Sequence, residues 1–225
     1  MEKPDLKVSI GGAKTADTGT EPLFLRTDYV RQRGRLDDPS VDDRASLAPQ
    51  WDVYERASRF PHGRVIDVGC GGAGKSKRFF TERDVVLVDH PAMLAAIRWR
   101  APRRVPVDLS TWVPDRELCR PDTLIVCADV IEHLWNPHVL LRALKSLMVD
   151  GCVLAISTPD RIAMNKALRR GSKGPPSDPR HVQEWSIPEF KQLLAYAGFE
   201  GSEVLRVPSR QGARDRIAQL WIFEA

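Results

Sequence analysis

Short apolar runs alternate with amphipathic segments from residue 64 to the end of the chain. Five of these runs have the length and aliphatic composition of buried strands, and they lie at 65–68, 85–88, 105–107, 123–128 and 152–157. The segments that separate them have the spacing of helices. Strands that alternate with helices predict a parallel sheet that is covered by helices on both faces.

Helix boundaries are marked by capping residues. A proline follows a residue that can cap a helix at 90–91 and again at 136–137, and proline is favoured in the first helical turn. Ser186 and Glu189 have the spacing of a capping box, and Gly198 is expected to end the helix that they begin. The apolar stripe of the helix after 136–137 consists of Leu140, Leu141, Leu144, Leu147 and Met148.

The last two strand-like runs differ from the others because no helix separates them. They lie at 203–207 and 217–223, and the loop between them is made of Pro, Ser, Arg and Gly residues. This arrangement predicts a hairpin, so the last strand should be antiparallel. The expected fold is therefore an α/β, doubly wound, seven-stranded and mostly parallel sheet with an antiparallel last strand.

Composition indicates one globular unit with short additions. The chain has 225 residues, of which 42% are hydrophobic and 28% are charged, as in ordinary globular domains. We predict a flexible tail at 1–20, a helical cap at 21–60 and the main domain at 61–225. A basic insertion at about 160–185 follows a strand, where insertions overhang the ligand crevice of such sheets, so we expect it to act as a lid.

Other bulk properties disfavour several classes of protein. No apolar run approaches the roughly 20 residues of a membrane span, and the first residues lack the apolar stretch of a secretion signal. The four cysteines have the spacing of neither a disulfide scaffold nor a zinc site, so we expect reduced thiols in a cytoplasmic protein. The net charge is only +4, and no basic stripe interleaved with aromatic residues indicates nucleic-acid binding.

Residues 64–80, RVIDVGCGGAGKSKRFF, fit two nucleotide-binding patterns. Residues 69–76 match the P-loop pattern, in which backbone N–H groups and a lysine hold phosphates. In that interpretation the run at 123–129 is the strand that supplies a magnesium ligand. In the other interpretation, Asp67, Gly69 and Gly71 form an acidic strand end followed by a glycine turn that lets the backbone approach a cofactor.

The second pattern resembles motif I of the class I S-adenosylmethionine (SAM) dependent methyltransferases, and further matches follow it in the family's order. Asp89 lies about 20 residues beyond the first glycine, the spacing of an acid that binds ribose hydroxyls. The stretches at 147–159 (LMVDGCVLAISTP), 181–185 (HVQEW) and 197–199 (AGF) also resemble family motifs. The resemblance covers residues 64–225, favours the methyltransferase over the P-loop interpretation, and is greatest for small-molecule and saccharide O-methyltransferases of types 11 and 23.

The resemblance implies which residues bind the cofactor SAM. Asp89 would bind the ribose and Asp108 would lie near the adenine amine. Ala73 stands where the family has a third glycine, so either Gly72 or Gly74 could contact the cofactor. Lys75 is expected to be a solvated lysine. The full set of expected cofactor-binding residues is Asp67, Gly69, Cys70, Gly71, Asp89, His90, Asp108, Leu109 and Asp129.

Candidate catalytic residues follow the fourth strand or lie in the lid. Transfer of a methyl group to an alcohol needs a base or a cation, and Glu132, His133 and His181 are the expected catalytic residues. Together with Asp129 they resemble the divalent-metal cluster of small-RNA 2′-O-methyltransferases, and the first part also resembles ubiquinone-pathway O-methyltransferases. That resemblance implies a Mg²⁺ site at Asp129, Glu132, His133 and His181 as one alternative. In the other alternative these residues shape the pocket and a histidine acts as the base.

The acceptor is expected to be a small polar molecule with a hydroxyl group, most simply a saccharide or a secondary metabolite. The basic lid and the resemblance of the carboxyl-terminal half to polysaccharide-pathway methyltransferases favour this class. Trp185 is expected to be a core or lid aromatic residue rather than an acceptor platform. A homodimer is an open option, membrane association is not expected, and a non-catalytic binding module with this fold is the remaining alternative.

Overall fold

The structure is a computed structural model that describes residues 50–100, 102–167, 176, 178, 180–208 and 217–225. Seven strands form one sheet in the order β3-β2-β1-β4-β5-β7-β6. The strands are β1 (Arg64–Val68), β2 (Asp84–Asp89), β3 (Arg103–Pro106), β4 (Thr123–Ala128), β5 (Val153–Pro159), β6 (Glu203–Pro208) and β7 (Ile217–Glu224). The predicted fold class is confirmed, because β1 to β5 pair in parallel and β7 pairs antiparallel with both β5 and β6.

Helices cover both faces of the sheet. They are α1 (Gln50–Ala57), α2 (Gly74–Phe80), α3 (Pro91–Ala96), α4 (Pro137–Leu147), α5 (Arg161–Ala167) and α6 (Ile187–Tyr196). The inward stripes of α4 and α6 pack on one face with Trp185 and Trp221, and α1, α2 and α3 contribute to a second apolar cluster on the other face. Short 3₁₀ turns at Arg116–Leu118 and Ile131–His133 flank β4.

The capping predictions largely hold. Pro91 and Pro137 begin α3 and α4, and the Glu189 carboxylate accepts the backbone N–H of Ser186 at the start of α6 (2.7 Å). Gly198 follows α6 with a φ of 84°, the left-handed conformation that favours glycine. Asn136 precedes α4, but its side chain makes no capping hydrogen bond.

Two strand predictions need correction at their ends. The third strand begins at 103 rather than 105, because it lies at the edge of the sheet and its first residues pair through the backbone with β2 although their side chains are arginines. The fifth strand extends to Pro159 rather than 157, since its pairing with β7 continues to Ala218.

Large parts of the predicted tail, helical cap and lid lie outside the described residues. The tail at 1–20 is not described, and of the cap at 21–60 only 50–60 is described, where α1 forms the predicted helical part. Residues 168–175, 177 and 179 of the lid are likewise not described. In the part of the chain that is described, no helix is both long and apolar enough to span a bilayer.

Candidate active site

The candidate site lies where the strand order reverses. β4 pairs with β1 on the side opposite β2, so the crossovers from β1 and β4 leave the sheet in opposite directions. In open α/β sheets, ligands bind in the crevice beyond the carboxyl ends of such strands. The turn after β1 and the ends of β2, β4 and β5 therefore define the site.

The turn after β1 depends on Gly69. Its φ is +72°, and a Cβ at this position would lie 2.4 Å from Cγ2 of Val130, so a side chain cannot be accommodated without moving the turn. Ala73, where the family has a third glycine, is also left-handed with a φ of 57° and precedes α2. The alanine therefore adopts the conformation for which glycine is usually chosen.

Asp89 lies at the end of β2 and faces this turn. Its Oδ2 accepts the backbone N–H of Gly71 at 2.8 Å, and its Oδ1 accepts the backbone N–H of His90 at 2.6 Å. Both bonds come from the backbone, so they set the direction of the carboxylate. The carboxylate is thus oriented at the switch point, where it could accept the two hydroxyl groups of a ribose.

Asp67 does not lie on the surface of the crevice. It is fully buried, its Oδ1 accepts the hydroxyl of Tyr54 from α1 at 2.7 Å, and its Oδ2 accepts the hydroxyl of Ser76 from α2. Burial raises the pKa of Asp67 from its usual 3.8 to about 6, although the two hydroxyl donors and Lys75 oppose the shift. Asp67 therefore joins β1, α1 and α2 beneath the glycine turn. No local pattern in the sequence predicted the contact with Tyr54.

The expectation that Lys75 is solvated is wrong. Its side chain is buried in the first turn of α2, and its charge lowers the pKa values of both Asp67 and Asp129. Buried lysines need compensation by opposite charge. Here α2 begins beside two acidic residues, and they supply that compensation.

The other residues expected to bind the cofactor lie around the same crevice. Cys70 and Leu109 are buried, whereas Asp108 follows β3 and accepts the backbone N–H and the hydroxyl of Ser110 at 2.9 and 2.6 Å. These bonds hold the pKa of Asp108 below its usual value. His90 caps α3 by accepting the N–H of Ala92.

Asp129 directly follows β4 and has a strained conformation. Its φ is 52°, which is uncommon for a residue other than glycine, and its Oδ1 accepts the Ser157 hydroxyl at 2.7 Å. Burial raises the pKa of Asp129, and the Ser157 hydroxyl and the two nearby histidines oppose the shift. Strain of this kind is concentrated at functional sites.

Glu132, His133 and His181 come together, and we call them the carboxylate–imidazole cluster. One ligand atom from each residue lies within 4.8 Å of those from the other two, and the two rings are 5.0 Å apart and nearly perpendicular. Adjacent residues on a regular α-helix would diverge, but Glu132 and His133 lie on a 3₁₀ turn. The backbone oxygen of Glu132 accepts the N–H of Val182 at 2.7 Å, and this bond brings the segment that carries His181 to the turn.

The tautomers of the two imidazoles follow from their neighbours. His133 Nδ1 lies 3.1 Å from the carbonyl oxygen of Arg180, which can only accept, so Nδ1 carries the proton and Nε2 the lone pair. His181 Nδ1 lies 2.6 Å from Oε1 of Glu184, which orients that ring in the same way, and its Nε2 lies 3.8 Å from Oδ2 of Asp178. This is the arrangement of histidines that serve as bases or metal ligands.

Glu132 is fully buried between these rings and the sheet. Its Oε2 accepts the Thr158 hydroxyl at 3.1 Å, and its Oε1 has no hydrogen-bond partner among the described residues. Burial and the nearby charge of Asp129 raise the pKa of Glu132 well above its usual value. An unsatisfied buried carboxyl oxygen is costly and indicates a role that packing does not supply.

Sequence and structural comparisons agree on the family. Residues 42–204 match the family described as a methyltransferase domain. The chain belongs to this family. The class I SAM-dependent methyltransferase family expected from the sequence is confirmed, and the P-loop interpretation of residues 69–76 is not supported.

Similar proteins include probable S-adenosylmethionine-dependent methyltransferases of Mycolicibacterium smegmatis (33% identity over 69% of this chain and 59% of that protein) and of Mycobacterium tuberculosis H37Rv (31% identity, 65% and 53%). The chain thus spans little more than half the length of these relatives. Among solved structures, the 1,6-didemethyltoxoflavin-N1-methyltransferase of Burkholderia thailandensis superposes with a TM-score of 0.57 at 18% identity, covering 80% of this chain and 78% of that chain. This similarity shows the fold.

The predicted metal set needs correction in two respects. Asp129 is not part of the group of possible ligands found among the described residues, because its carboxylate is directed to Ser157. Mg²⁺ prefers octahedral oxygen ligands, whereas two imidazoles and one carboxylate suit Zn²⁺ or another transition metal. The donor set therefore does not fit Mg²⁺.

Two tryptophans near the cluster differ in their exposure to solvent. Trp185 is buried against Phe190 in the core, as predicted. Trp135 is 53% exposed and lies two residues after His133. A large exposed aromatic residue beside the carboxylate–imidazole cluster is a candidate for ligand contact, and the only sequence signal for it was its position.

The bonds to Asp67 lead to a testable pH dependence. Because the folded-state pKa of Asp67 lies above its usual value, burial of this group lowers stability as pH rises from about 4 to 6. The Ser76 hydroxyl opposes that loss by stabilising the ionised form. Ser76→Ala is therefore expected to lower the free energy of unfolding by about 1.5–3 kcal/mol at pH 8, and by less once pH falls below the Asp67 pKa. Urea titrations of both proteins at several pH values measure this difference, and a pH-independent difference would contradict it.

Proposed function

We propose that this chain transfers the methyl group of SAM to a hydroxyl group of a small polar acceptor, most simply a saccharide or a similar polyol, and that His133 and His181 assist removal of the hydroxyl proton. The observation that carries the proposal is the carboxylate–imidazole cluster. Two imidazoles with fixed tautomers adjoin a buried carboxyl group at the carboxyl edge of the sheet. Amine acceptors need no such group once they are neutral, whereas alcohols do.

Binding of the cofactor is supported by the fit of Asp89. Its carboxylate is fixed by Gly71 and His90 at the switch point, and a diol is the ligand that a carboxylate in this position recognises. SAM, when bound, supplies an electrophilic methyl group on a sulfonium. The protein has to align the acceptor oxygen with that methyl group and keep water away from it.

The proton of the acceptor hydroxyl would pass to Nε2 of one histidine. The Arg180 carbonyl and the Glu184 carboxylate accept the Nδ1 protons of His133 and His181, so each ring would be held in place as it becomes positively charged. Glu132, whose ligand oxygen lies within 4.8 Å of a nitrogen of each ring, would help to orient them. The acceptor oxygen then gains a bond to carbon, and the electron pair of the broken C–S bond remains on sulfur.

The same residues also fit a transition metal. Glu132, His133 and His181 would hold it, and the otherwise unsatisfied Oε1 of Glu132 favours this alternative. A cation in this place would supply Lewis acidity that lowers the pKa of the acceptor hydroxyl. The two alternatives share the cluster and differ in their response to chelators.

The relatives leave other acceptors to be tested. A protein of Methylobacterium radiotolerans named trans-aconitate 2-methyltransferase is 36% identical over 44% of this chain. A carboxylate acceptor needs no base, so the carboxylate–imidazole cluster favours a hydroxyl acceptor over it. We therefore place hydroxyl acceptors first.

A binding experiment and an acceptor survey test the proposal. Calorimetry with S-adenosylhomocysteine (SAH) and with ATP should show binding of the first only. Methyl transfer from labelled SAM should then be measured to polyols and methyl glycosides, to polycarboxylates and to primary amines. Transfer to amines or carboxylates alone would reject the hydroxyl assignment while leaving the family assignment intact.

Trp135 offers a test of how the acceptor is held. Trp135→Ala is expected to raise the acceptor KM by roughly tenfold, with little change in SAH affinity, because an aromatic face is worth about 0.5–1.5 kcal/mol or more at a contact. Trp135→Phe should return the acceptor KM most of the way to the wild-type value. Tyr196→Ala is the matched control, since Tyr196 is a second exposed aromatic residue (73%) at the end of α6. An unchanged KM in Trp135→Ala would exclude this contact.

A further inference from the structure

Two buried thiols meet at the amino edge of the sheet, opposite the carboxylate–imidazole cluster. Cys119 follows the 3₁₀ turn Arg116–Leu118 and precedes β4, and Cys152 immediately precedes β5. Their Sγ atoms are 3.1 Å apart, and both side chains are buried. Cys152 also donates to the carbonyl oxygen of Arg120 at 3.2 Å.

We propose that Cys119 and Cys152 are a site of reversible disulfide formation, and that the bond stabilises the fold without changing the active site. A disulfide has an S–S distance of about 2.05 Å, so the two sulfur atoms need to approach by only about 1 Å. The strands that follow the two cysteines, β4 and β5, are paired neighbours. Cys119 and Cys152 lie 33 residues apart in the sequence, so their spacing did not predict this contact.

The other two cysteines are differently placed. Cys70 lies in the glycine turn, and Cys127 lies near the carboxyl end of β4. Both are buried, and among the described residues neither thiol is hydrogen-bonded to another cysteine. All four cysteines of the chain are described, so the pairing is specific to one of the six combinations.

The reaction needs an oxidant of the small-disulfide class. One protein thiolate attacks a sulfur atom of the small disulfide and releases one small thiol. The second protein thiol then attacks the mixed disulfide and releases the other small thiol. Overall, two protein thiols become one disulfide, and the two electrons and two protons reside on the two released thiols.

The environment makes this reaction slow at neutral pH. Burial, together with the neighbouring Cys152, raises the pKa of Cys119 to about 12. Thiol–disulfide exchange proceeds through the thiolate, so formation of the bond should accelerate as pH rises. The thiols should therefore persist after brief exposure to an oxidant and be lost on prolonged exposure.

The bond would close a segment that carries β4, the turn with Glu132 and His133, and α4. Closing a loop of this size restricts the unfolded chain and raises Tm, by about 5–15 °C on the usual scaling. The bond would lie at the start of β4 and β5, whereas the cluster lies beyond their ends. SAH affinity should therefore remain within about twofold, since the small movement of sulfur occurs at the far edge.

The experiment uses the full chain incubated with oxidised glutathione at mildly alkaline pH. We expect the intact mass to fall by two hydrogen atoms, the thiols titrated after denaturation to fall from four to two, and peptide mapping to join Cys119 to Cys152. Reduction should reverse all three changes and the rise in Tm. Cys119→Ala and Cys152→Ala should each prevent the loss of mass. Cys127→Ala removes a buried cysteine of β4 and should still show the loss of two hydrogen atoms.

Several results would overturn the proposal. They are four titratable thiols after prolonged oxidation, glutathione adducts that do not resolve to an internal bond, and a cross-link that involves another cysteine. A correct cross-link that leaves Tm unchanged or alters SAH affinity strongly would reject the stabilising role. The wild-type mass and peptide map decide the outcome even if a cysteine variant fails to fold.

Discussion

Replacing both His133 and His181 with alanine is expected to lower kcat for methyl transfer to a hydroxyl by roughly 10²–10⁴-fold, the usual contribution of a positioned base. Both rings lie in the carboxylate–imidazole cluster with their Nδ1 atoms bonded to fixed acceptors. The loss should fall on kcat, because the proton is transferred only as the new bond forms. Single-turnover transfer from labelled SAM measures the change.

A matched control separates chemistry from folding. His138→Ala removes a histidine on α4 that contacts Tyr196 rather than the cluster, and it should leave kcat unchanged. SAH affinity of the double variant should also be preserved, since Asp89 and the glycine turn are untouched. Full activity of the folded double variant would reject the cluster as the catalytic group and indicate an acceptor that needs no base.

Chelators then distinguish the two roles of the cluster. If the histidines act as bases alone, removal of divalent ions should leave turnover unchanged. If a metal is held there, chelation should abolish turnover, and Zn²⁺ or Ni²⁺ should restore it better than Mg²⁺, because the set contains two nitrogen ligands. Glu132→Gln should abolish the restoration.

The order of strands and helices was predictable because it depends on local patterns. Buried parallel strands require continuous apolar runs, and α6 requires its capping residues and an apolar stripe, all of which are visible in the sequence. The hairpin of β6 and β7 was predictable from the absence of a helix between two runs. The edge strand β3 was placed less well, because only one neighbour pairs with it and its side chains are polar.

The candidate site was predictable only in part. Family motifs identified Asp89, Glu132, His133 and His181, and the structure brings the last three together. The motifs could not show that Asp67 is bonded to Tyr54 across two elements, or that Lys75 is buried. Such contacts are set by tertiary packing, for which a single sequence has no local signal.

Asp89 provides the second large effect. Asp89→Ala is expected to weaken SAH binding by roughly 10²–10⁴-fold, since a hydrogen bond to a charged group contributes about 1.5–3 kcal/mol and a ribose would make two. The variant also loses the bond from the Gly71 N–H that orients the glycine turn. Asp89→Asn keeps one acceptor oxygen, so its SAH affinity should lie between those of the wild type and Asp89→Ala.

Asp84→Asn is the matched control, because Asp84 begins the same strand and pairs with Arg64 at the opposite edge of the sheet. Calorimetry should find its SAH affinity unchanged. Wild-type affinity in a folded Asp89→Ala protein would show that the ribose is bound elsewhere, and would remove the main support for the cofactor site described above.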